Sequence, residues 1–309
     1  MFKHKDLLGL KDVTAEEITE ILDVADDMKK YLCGNVRKSD LLKGKTLVTL
    51  FYENSTRTRT SFELAGKLLG ASEVNISVAT SSVQKGETLI DTGETLDAMK
   101  IDFVVIRHPM AGAPKLLAEH VKASVLNGGD GMHEHPTQAL LDMLTIREKL
   151  GKIKGLKVAI LGDIKHSRVA MSNLIGLKRL GAEVYFYAPA TMMPKDIDKL
   201  GAKTAKSREE AIDGADAVMG LRIQLERQNG GLFPSLSEYS RFYGVNDEIL
   251  KYAKKTAIVL HPGPVNRGVE LTPQVIDGDK SVVLEQVTSG VAVRMALLKL
   301  LSEYRENCL

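Results

Sequence analysis

The chain is poor in cysteine and in aromatic residues, and it carries almost no net charge. Its 309 residues include two cysteines, Cys33 and Cys308, and no tryptophan, and aromatic residues make up 5%. Two cysteines this far apart do not build a disulfide framework or match a metal-ligand spacing. The 42 basic and 40 acidic residues give a formal charge of +2. Such a balance argues against a general nucleic-acid-binding protein.

Long apolar segments are also missing. No run approaches the length of a membrane-spanning helix, and no signal-like apolar stretch follows Met1. Internal repeats and low-complexity tracts do not occur. The 44% hydrophobic content is ordinary for a globular protein, and 309 residues are enough for two domains. We therefore expect a soluble, cytoplasmic protein with no membrane or nucleic-acid partner.

Short β-branched runs alternate with helical patterns along the chain. This alternation predicts an α/β protein with two doubly wound domains, each a parallel β-sheet flanked by helices. The predicted strands are Thr46–Tyr52, Glu73–Ile76, Phe103–Arg107, Ser124–Asn127, Lys157–Gly162, Glu183–Tyr187, Ala217–Leu221 and Thr256–Leu260. The best domain boundary is the Gly-rich polar break at 151–155. A last predicted helix, Val291–Tyr304, could pack on either domain.

Hydroxyls and guanidiniums are concentrated where the first strand meets a helix. Ser55, Thr56, Arg57 and Thr58 follow the strand directly. A helix N-terminus offers free N–H groups and a positive dipole end, which favour an anion. The planar guanidinium group of arginine can donate two hydrogen bonds to one phosphate. A hydroxyl-rich cap with solvated arginines is the alternative, but the density of donors favours a phosphate site.

A second group of polar residues follows the third and fourth strands. Arg107 ends the third strand, where it could equally be a surface arginine lying over apolar neighbours. Pro136 suits the first position of a helix, which places His135 at the cap and Gln138 in the first turn. A metal site built on His135 and its neighbours would lack the H-E-x-x-H spacing. A neutral imidazole that donates to a carbonyl oxygen fits better.

Two further arginines follow strands of the second series. Arg168 comes just inside the helix after Lys157–Gly162. Arg222 and Gln224 are two residues apart after a later strand and point the same way if extended. Together they suggest a dianionic ligand. The turn after Gly162 lacks G-x-G-x-x-G, so a dinucleotide is poorly supported.

Two loops complete the set of candidates. Ser81 and Lys85 belong to a polar loop that would, in isolation, be read as solvated. Gly263 and Pro264 belong to a stiff turn after the last strand, and this turn could line a cleft.

Four motifs together resemble the carbamoyltransferases over essentially the whole chain. They are Ser-Thr-Arg-Thr-Arg at 55–59, Arg107-His-Pro, His135-Pro-Thr-Gln138 and Arg222-Ile-Gln224. The late turn reads His-Pro-Gly-Pro at 261–264 and no Ser-Met-Gly occurs, which matches the aspartate branch and not the ornithine branch. Lys85-Gly-Glu-Thr and Arg168 also match the aspartate branch.

The resemblance implies transfer of a carbamoyl group from carbamoyl phosphate to the amino group of L-aspartate, in pyrimidine biosynthesis, without metal or cofactor. It implies a carbamoyl-phosphate-binding domain at 1–151 joined by the C-terminal helix at 290–309, and an aspartate-binding domain at 152–289. The implied carbamoyl phosphate contacts are Ser55, Thr56, Arg57, Thr58, Ser81, Lys85, Arg107, His135 and Gln138, of which Arg57, Thr58, Arg107, His135 and Gln138 are catalytic. The implied aspartate contacts are Lys85, Arg168, Arg222, Gln224, Gly263 and Pro264.

The resemblance also implies a homotrimer with shared active sites, in which the loop bearing Ser81 and Lys85 enters the neighbouring subunit. Binding of a regulatory chain stays open. A carbamoyltransferase for ornithine or an acylated diamine is the main alternative, but Arg168 and Arg222 oppose a cationic substrate. An inactive homologue acting as a scaffold is a second alternative, although every catalytic position is filled. A nucleotide-binding regulator would need the missing glycine fingerprint.

Overall fold

The computed structural model describes residues 2–34, 39–77, 86–224 and 232–307. The chain divides into two compact units. Unit 1 contains Met1–Leu141 and Thr288–Leu309, and unit 2 contains Asp142–Val287. Each unit has one parallel sheet, which confirms the predicted fold class.

Helices and strands alternate along both units. The strands are β1 (Thr46–Phe51), β2 (Ser72–Ser77), β3 (Phe103–His108), β4 (Ser124–Asp130), β5 (Lys157–Leu161), β6 (Glu183–Tyr187), β7 (Lys203–Thr204), β8 (Ala217–Gly220) and β9 (Ile258–Leu260). The helices are α1 (Ala15–Cys33), α2 (Thr56–Leu69), α3 (Leu89–Ala98), α4 (Ala113–Ala118), α5 (Pro136–Leu150), α6 (Arg168–Arg179), α7 (Arg208–Ile212), α8 (Leu236–Tyr243), α9 (Asp247–Leu250), α10 (Pro273–Asp277) and α11 (Val283–Asn307). Short 3-10 helices cover Ala190–Met192 and Ile197–Leu200.

The sheet of unit 1 has the strand order β2-β1-β3-β4. From β1 the chain first moves outward to β2, and then returns to β3 on the other side of β1. The strand order therefore reverses between β1 and β3, and such switch points are where open parallel sheets bind ligands. All seven residues of β4 are buried.

The N-terminal segment covers the outer edge of β4. Leu7 donates its N–H to Val125 O at 2.9 Å and accepts the N–H of Asn127 at 2.9 Å. These bonds satisfy backbone groups that an edge strand would otherwise expose. Helix α1 follows and begins with a capping box between Thr14 and Glu17.

The sheet of unit 2 has the order β7-β6-β5-β8-β9. Its strand order reverses between β5 and β8, which defines a second switch point. The two-residue strand β7 was not predicted. Its residues, Lys203 and Thr204, are both exposed, so they give no buried β-branched run.

The last helix, α11, returns to unit 1 and contacts α1, as the carbamoyltransferase resemblance implies. Lys29 Nζ donates to Ser289 Oγ at 3.0 Å, and Arg294 Nη2 donates to Thr137 Oγ1 at 3.3 Å. Most of its apolar residues from Ala292 to Leu301 are fully buried. The helix is therefore part of the core of unit 1.

None of the described helices is both long enough and apolar enough to span a bilayer.

Candidate active site

The N-terminus of α2 differs from those of α1 and α3, which each follow a Thr cap. The side chains of Thr14 and Thr88 accept hydrogen bonds from the first turns of α1 and α3, and each of those turns contains an acidic residue. Ser55 is the N-cap of α2, its hydroxyl makes no capping bond, and the first turn has no acidic residue. The first N–H groups and the positive dipole end of α2 therefore have no carboxylate from that turn beside them. This is an arrangement suited to a bound anion.

The four predicted phosphate ligands differ in burial. Thr58 is 7% exposed, whereas Thr56 and Arg57 are exposed and Ser55 is intermediate. The hydroxyl and guanidinium groups thus line the start of α2 from its buried side to its solvent side.

Arg107 lies beside this helix start because β1 and β3 are neighbours. The register pairs Phe51 with Arg107, and Tyr52 donates its N–H to Arg107 O at 2.8 Å. The guanidinium Nε donates to Glu53 Oε2 at 3.2 Å, and Nη1 donates to Gly128 O at 3.4 Å. The switch point of unit 1 thus holds a cation paired with Glu53, the carboxylate two residues before Ser55.

His108, the residue after Arg107, packs against an aromatic ring and is partly buried. Its ring lies 4.5 Å from that of Tyr52, and its Nδ1 accepts the N–H of Met110 at 3.0 Å. Burial lowers the pKa of His108, and burial also raises the pKa of Tyr52. Burial thus favours the uncharged form of both rings.

Carboxylates at the end of β4 and in the loop that follows accept hydrogen bonds from backbone N–H groups. Asp130 accepts N–H groups from Gly112 at 2.8 Å and from Glu134 at 3.2 Å. Glu134 in turn accepts the N–H of Leu10 at 2.9 Å. Within the described ranges, no group of three or more His, Cys, Asp or Glu residues is placed to hold a metal ion.

His135 and Gln138 lie at the start of α5, which begins at Pro136 as predicted. The carbonyl of His135 accepts the N–H of Gln138 at 3.0 Å. Both side chains are buried, with 4% and 9% of their surfaces exposed. Buried polar side chains in a helix's first turn are positioned for a ligand at the carboxyl edge of the sheet.

Asp163 organises the switch point of unit 2. This fully buried carboxylate accepts the backbone N–H and the Nδ1–H of His166 at 3.2 and 2.8 Å, and the N–H of Gln224 at 3.3 Å. It therefore joins the loop after β5 to the segment after β8. Arg168, the first residue of α6, is only 3% exposed.

Arg222 and Gln224 lie on the same side of the segment after β8, as the spacing predicts. Arg222 Nη2 donates to Gln224 Oε1 at 3.1 Å. Leu221 and Ile223, which alternate with them, are buried. The close approach of Leu221 also explains Gly162, because a Cβ at that glycine would lie 2.5 Å from Leu221 O.

The late turn follows β9 and contains a cis peptide bond between Gly263 and Pro264. Gly263 has a φ of 62°, a conformation that favours glycine. Its N–H donates to His261 Nδ1 at 2.8 Å. The turn lies in the loop after a strand adjacent to β8, next to the segment that bears Arg222 and Gln224.

The predicted residues thus form two groups, one in each unit. Unit 1 brings Ser55, Thr56, Arg57, Thr58, Arg107, His135 and Gln138 to the carboxyl ends of β1, β3 and β4. Unit 2 brings Arg168, Arg222, Gln224, Gly263 and Pro264 to the carboxyl ends of β5, β8 and β9. Ser81 and Lys85 lie outside the described residues.

Two carboxylates at the switch points, Glu53 and Asp163, are not among the predicted site residues. A signal for both exists in the sequence, since each lies within two residues of a strand's carboxyl end. Polar residues in that position are the ones that reach a ligand in open parallel sheets.

A separate cavity of about 570 Å³ lies in unit 2 near the carboxyl ends of β6 and β7. Tyr187, Lys206 and Tyr243 are among its lining residues, and none of the predicted site residues is. The cavity is therefore distinct from the two groups above.

Comparison with known proteins identifies the class to which this site belongs. The carbamoyl-P binding domain of the aspartate/ornithine carbamoyltransferases matches residues 5–148, and their Asp/Orn binding domain matches residues 154–301. The chain belongs to the aspartate/ornithine carbamoyltransferase family.

Curated relatives in this family are named aspartate carbamoyltransferase catalytic subunits. The Ruminiclostridium cellulolyticum protein is 64% identical over 300 residues, covering 97% of this chain and 96% of its own length. The Acetivibrio thermocellus protein is 64% identical over 302 residues, covering 98% and 97%.

Solved structures of the family have the same fold. Aspartate transcarbamoylase from Trypanosoma cruzi in complex with carbamoyl phosphate and aspartate has a TM-score of 0.87 at 32% identity, covering 96% of both chains. Ornithine carbamoyltransferase from Thermus thermophilus has a TM-score of 0.86 at 28% identity, covering 96% of this chain and 99% of that chain.

Proposed function

We propose that the chain transfers the carbamoyl group of carbamoyl phosphate to the amino group of L-aspartate and releases N-carbamoyl-L-aspartate and phosphate. One observation carries the proposal: each switch point bears a cationic group suited to one substrate. Unit 1 has an anion-binding helix start beside Arg107, and unit 2 has Arg168 and Arg222 at adjoining strand ends. The product would enter pyrimidine biosynthesis, and the reaction would take place in the cytoplasm.

Carbamoyl phosphate would bind in unit 1. Ser55, Thr56 and Thr58 supply hydroxyl and backbone N–H donors to its phosphate, and Arg57 supplies a guanidinium. Arg107 reaches both the phosphate and the carbonyl oxygen, and it must then exchange its contact with Glu53 for the substrate.

The carbonyl oxygen gains negative charge as the amine attacks. Thr58, Arg107 and His135 donate to this oxygen, and the loss of one such donor typically lowers kcat by about 100- to 1000-fold. Gln138 orients the carbamoyl NH2 group. The departing phosphate accepts the proton of the amine, so the reaction needs neither a side-chain nucleophile nor a general base.

L-Aspartate would bind in unit 2. Arg168 and Arg222 pair with its two carboxylates, Gln224 hydrogen-bonds to one of them, and the backbone at Gly263 and Pro264 lines the position of the amine. The cationic side chain of ornithine would meet two guanidiniums instead, which disfavours it as the acceptor. The domain limits predicted above, 1–151 with 290–309 and 152–289, belong to this proposal.

We further propose that the chain works as a homotrimer, in which Ser81 and Lys85 act at the site of the neighbouring subunit. The supporting observation is that β2 lies at one edge of the unit 1 sheet and ends at Ser77, shortly before Ser81 in the sequence. Its Val74 is 47% exposed. Exposed edge strands are ready to pair with another chain.

The acceptor is tested by phosphate release from carbamoyl phosphate with L-aspartate and with L-ornithine. The variants are Arg222→Ala and, as a matched control, Arg241→Ala, which removes an exposed arginine of α8 in the same unit. We expect turnover with L-aspartate only, lost in the first variant and kept in the second. Turnover with L-ornithine, or with neither amine, would refute the assigned acceptor.

The shared site is tested by subunit mixing. Lys85→Ala and Arg57→Ala chains should each be inactive and should regain partial activity when dissociated, mixed and reassembled. Sedimentation should report a trimer before and after mixing. A trimer without recovery would contradict the shared site, and a monomer would contradict the assembly.

A further inference from the structure

A buried polar chain holds the turn that bears Gly263 and Pro264. Its first part is the imidazole of His261, whose Nδ1 accepts the N–H of Gly263 at 2.8 Å and whose Nε2–H donates to Glu270 Oε1 at 3.0 Å. The same carboxylate oxygen accepts the N–H of Asn266 at 2.7 Å. The backbone is therefore fixed on both sides of the cis bond.

This hydrogen-bonded chain continues from the turn into three helices, α11, α5 and α6. His261 donates its own N–H to Gln286 Oε1 at 2.9 Å, and Gln286 Nε2 donates to Asp142 Oδ1 at 2.7 Å. The other carboxylate oxygen of Asp142 accepts Asn173 Nδ2 at 2.8 Å. Asn173 lies on α6, the helix that begins at Arg168. One continuous set of hydrogen bonds thus joins the turn to the helix of the proposed carboxylate ligand.

The polar side chains of this hydrogen-bonded set are buried to a degree that is unusual for groups with no part in binding. Asp142 and Asn173 are fully buried, and Gln286 is 3% exposed. Burying a carboxylate costs several kcal/mol before its partners compensate, and a well-packed apolar set of similar volume is often at least as stable. Polar contacts behind a site typically fix the orientation of the groups that touch the ligand. Stability alone therefore does not explain Asp142 and Gln286.

We propose that Asp142 and Gln286 are positioning residues for the acceptor amino acid. They set the distance between the backbone at Gly263 and the guanidinium of Arg168, and so the fit of the amine and carboxylate of L-aspartate. The inference rests on the proposed function, and it adds two residues that touch neither substrate.

The first test replaces Gln286 by methionine, which keeps the length of the side chain and removes both hydrogen bonds. Leu284→Ala, at an 80% exposed position of the same helix turn, is the control. In the variant Q286M we expect KM for L-aspartate to rise about tenfold, which corresponds to about 1.4 kcal/mol. We expect KM for carbamoyl phosphate and kcat to change less than threefold, and the control to match the wild type.

The second test exchanges donor and acceptor. Asp142→Asn turns an NH2 group toward the NH2 of either Asn173 or Gln286, and Asn173→Asp places two carboxylates against each other, so either alone should raise KM for L-aspartate. The double variant D142N/N173D restores one donor facing one acceptor, with the amide oxygen of residue 142 still available to Gln286. Because the carboxylate at residue 173 can no longer donate to Val169 O, which Asn173 Nδ2 contacts at 3.1 Å, we expect a KM for L-aspartate below that of either single variant but above the wild-type value.

Three results would overturn the proposal. If Q286M raises KM for both substrates and also lowers Tm, the hydrogen bonds of Gln286 serve only the stability of the fold. If KM for L-aspartate is as high in the double variant as in the single variants, the contact between residues 142 and 173 does not position the acceptor. Wild-type protein without turnover on L-aspartate would refute the proposed function itself, and this result is visible before any variant is compared.

Discussion

The pair between Glu53 and Arg107 predicts that an acidic side chain competes with phosphate for the same guanidinium. The atoms are 3.2 Å apart, and the two side chains are 22% and 15% exposed. Coulomb's law gives about 5 kcal/mol at an effective dielectric constant of about 20, an upper bound because both groups lose water when they pair. Exposed pairs typically contribute about 0–1 kcal/mol. For this mostly buried pair we take about 1 kcal/mol.

Removing the charge should therefore strengthen phosphate binding. Glu53→Gln keeps the shape of the side chain, and we expect inorganic phosphate to bind about fivefold more tightly, since 1.4 kcal/mol corresponds to a factor of ten. Isothermal titration at fixed ionic strength measures the Kd directly. The same variant should show a lower inhibition constant for phosphate in the carbamoyl transfer assay.

Glu63→Gln is the matched control for this experiment. It also removes one negative charge from unit 1, but Glu63 contacts Asn75 and lies 3.9 Å from Arg59, not Arg107. If both variants strengthen phosphate binding equally, the effect comes from net charge alone. If Glu53→Gln weakens phosphate binding, Glu53 orients Arg107 for the ligand instead of competing with it, and the reasoning is wrong.

Three further predictions concern single side chains. Thr58→Ala should lower kcat by about 100- to 1000-fold through loss of one donor, whereas Thr60→Ala on the exposed face of α2 should leave the rate unchanged. Asp163→Asn replaces one of two acceptor oxygens by an NH2 group, which then faces either the two N–H donors of His166 or the N–H of Gln224. Urea unfolding should therefore show a loss of about 1–3 kcal/mol and KM for L-aspartate should rise; an unchanged KM would limit Asp163 to a structural role. The pKa of His108 is lower in the folded protein than its unfolded value of about 6.5. The free energy of unfolding therefore decreases as pH falls below about 6.5, because the unfolded chain takes up the proton more readily. Tm should thus fall more between pH 7 and pH 5 in the wild type than in His108→Asn, and parallel slopes would contradict this.

Most strands could be predicted because they are short runs rich in β-branched and other apolar residues, and several of them, such as β1, β5 and β8, are buried along almost their whole length. The predicted Lys157–Gly162 and the observed β5 differ by one residue. The start of α5 could also be predicted, because Pro136 suits the first position of a helix. The strand β7 could not be predicted, because two exposed residues form no pattern.

Residues of the candidate site could also be predicted only where the signal is local in the sequence. Arginines and hydroxyls at strand ends are visible in the sequence, because the strand boundary itself marks the carboxyl edge of a sheet. Their partners are not visible when they are remote in the chain. Glu53 and Arg107 are 54 residues apart, and Asp142 and Gln286 are 144 apart. Only the folded chain shows that these groups meet.

The return of α11 to unit 1 determines the order in which the two units can be completed during synthesis. Unit 2 is one continuous stretch, Asp142–Val287, whereas unit 1 needs Thr288–Leu309 for its core. Domains generally fold in the order in which they leave the ribosome. Here the unit that is made first must wait for the last residues of the chain. A premature stop before Ala292 would therefore leave unit 2 intact in sequence and unit 1 without part of its core.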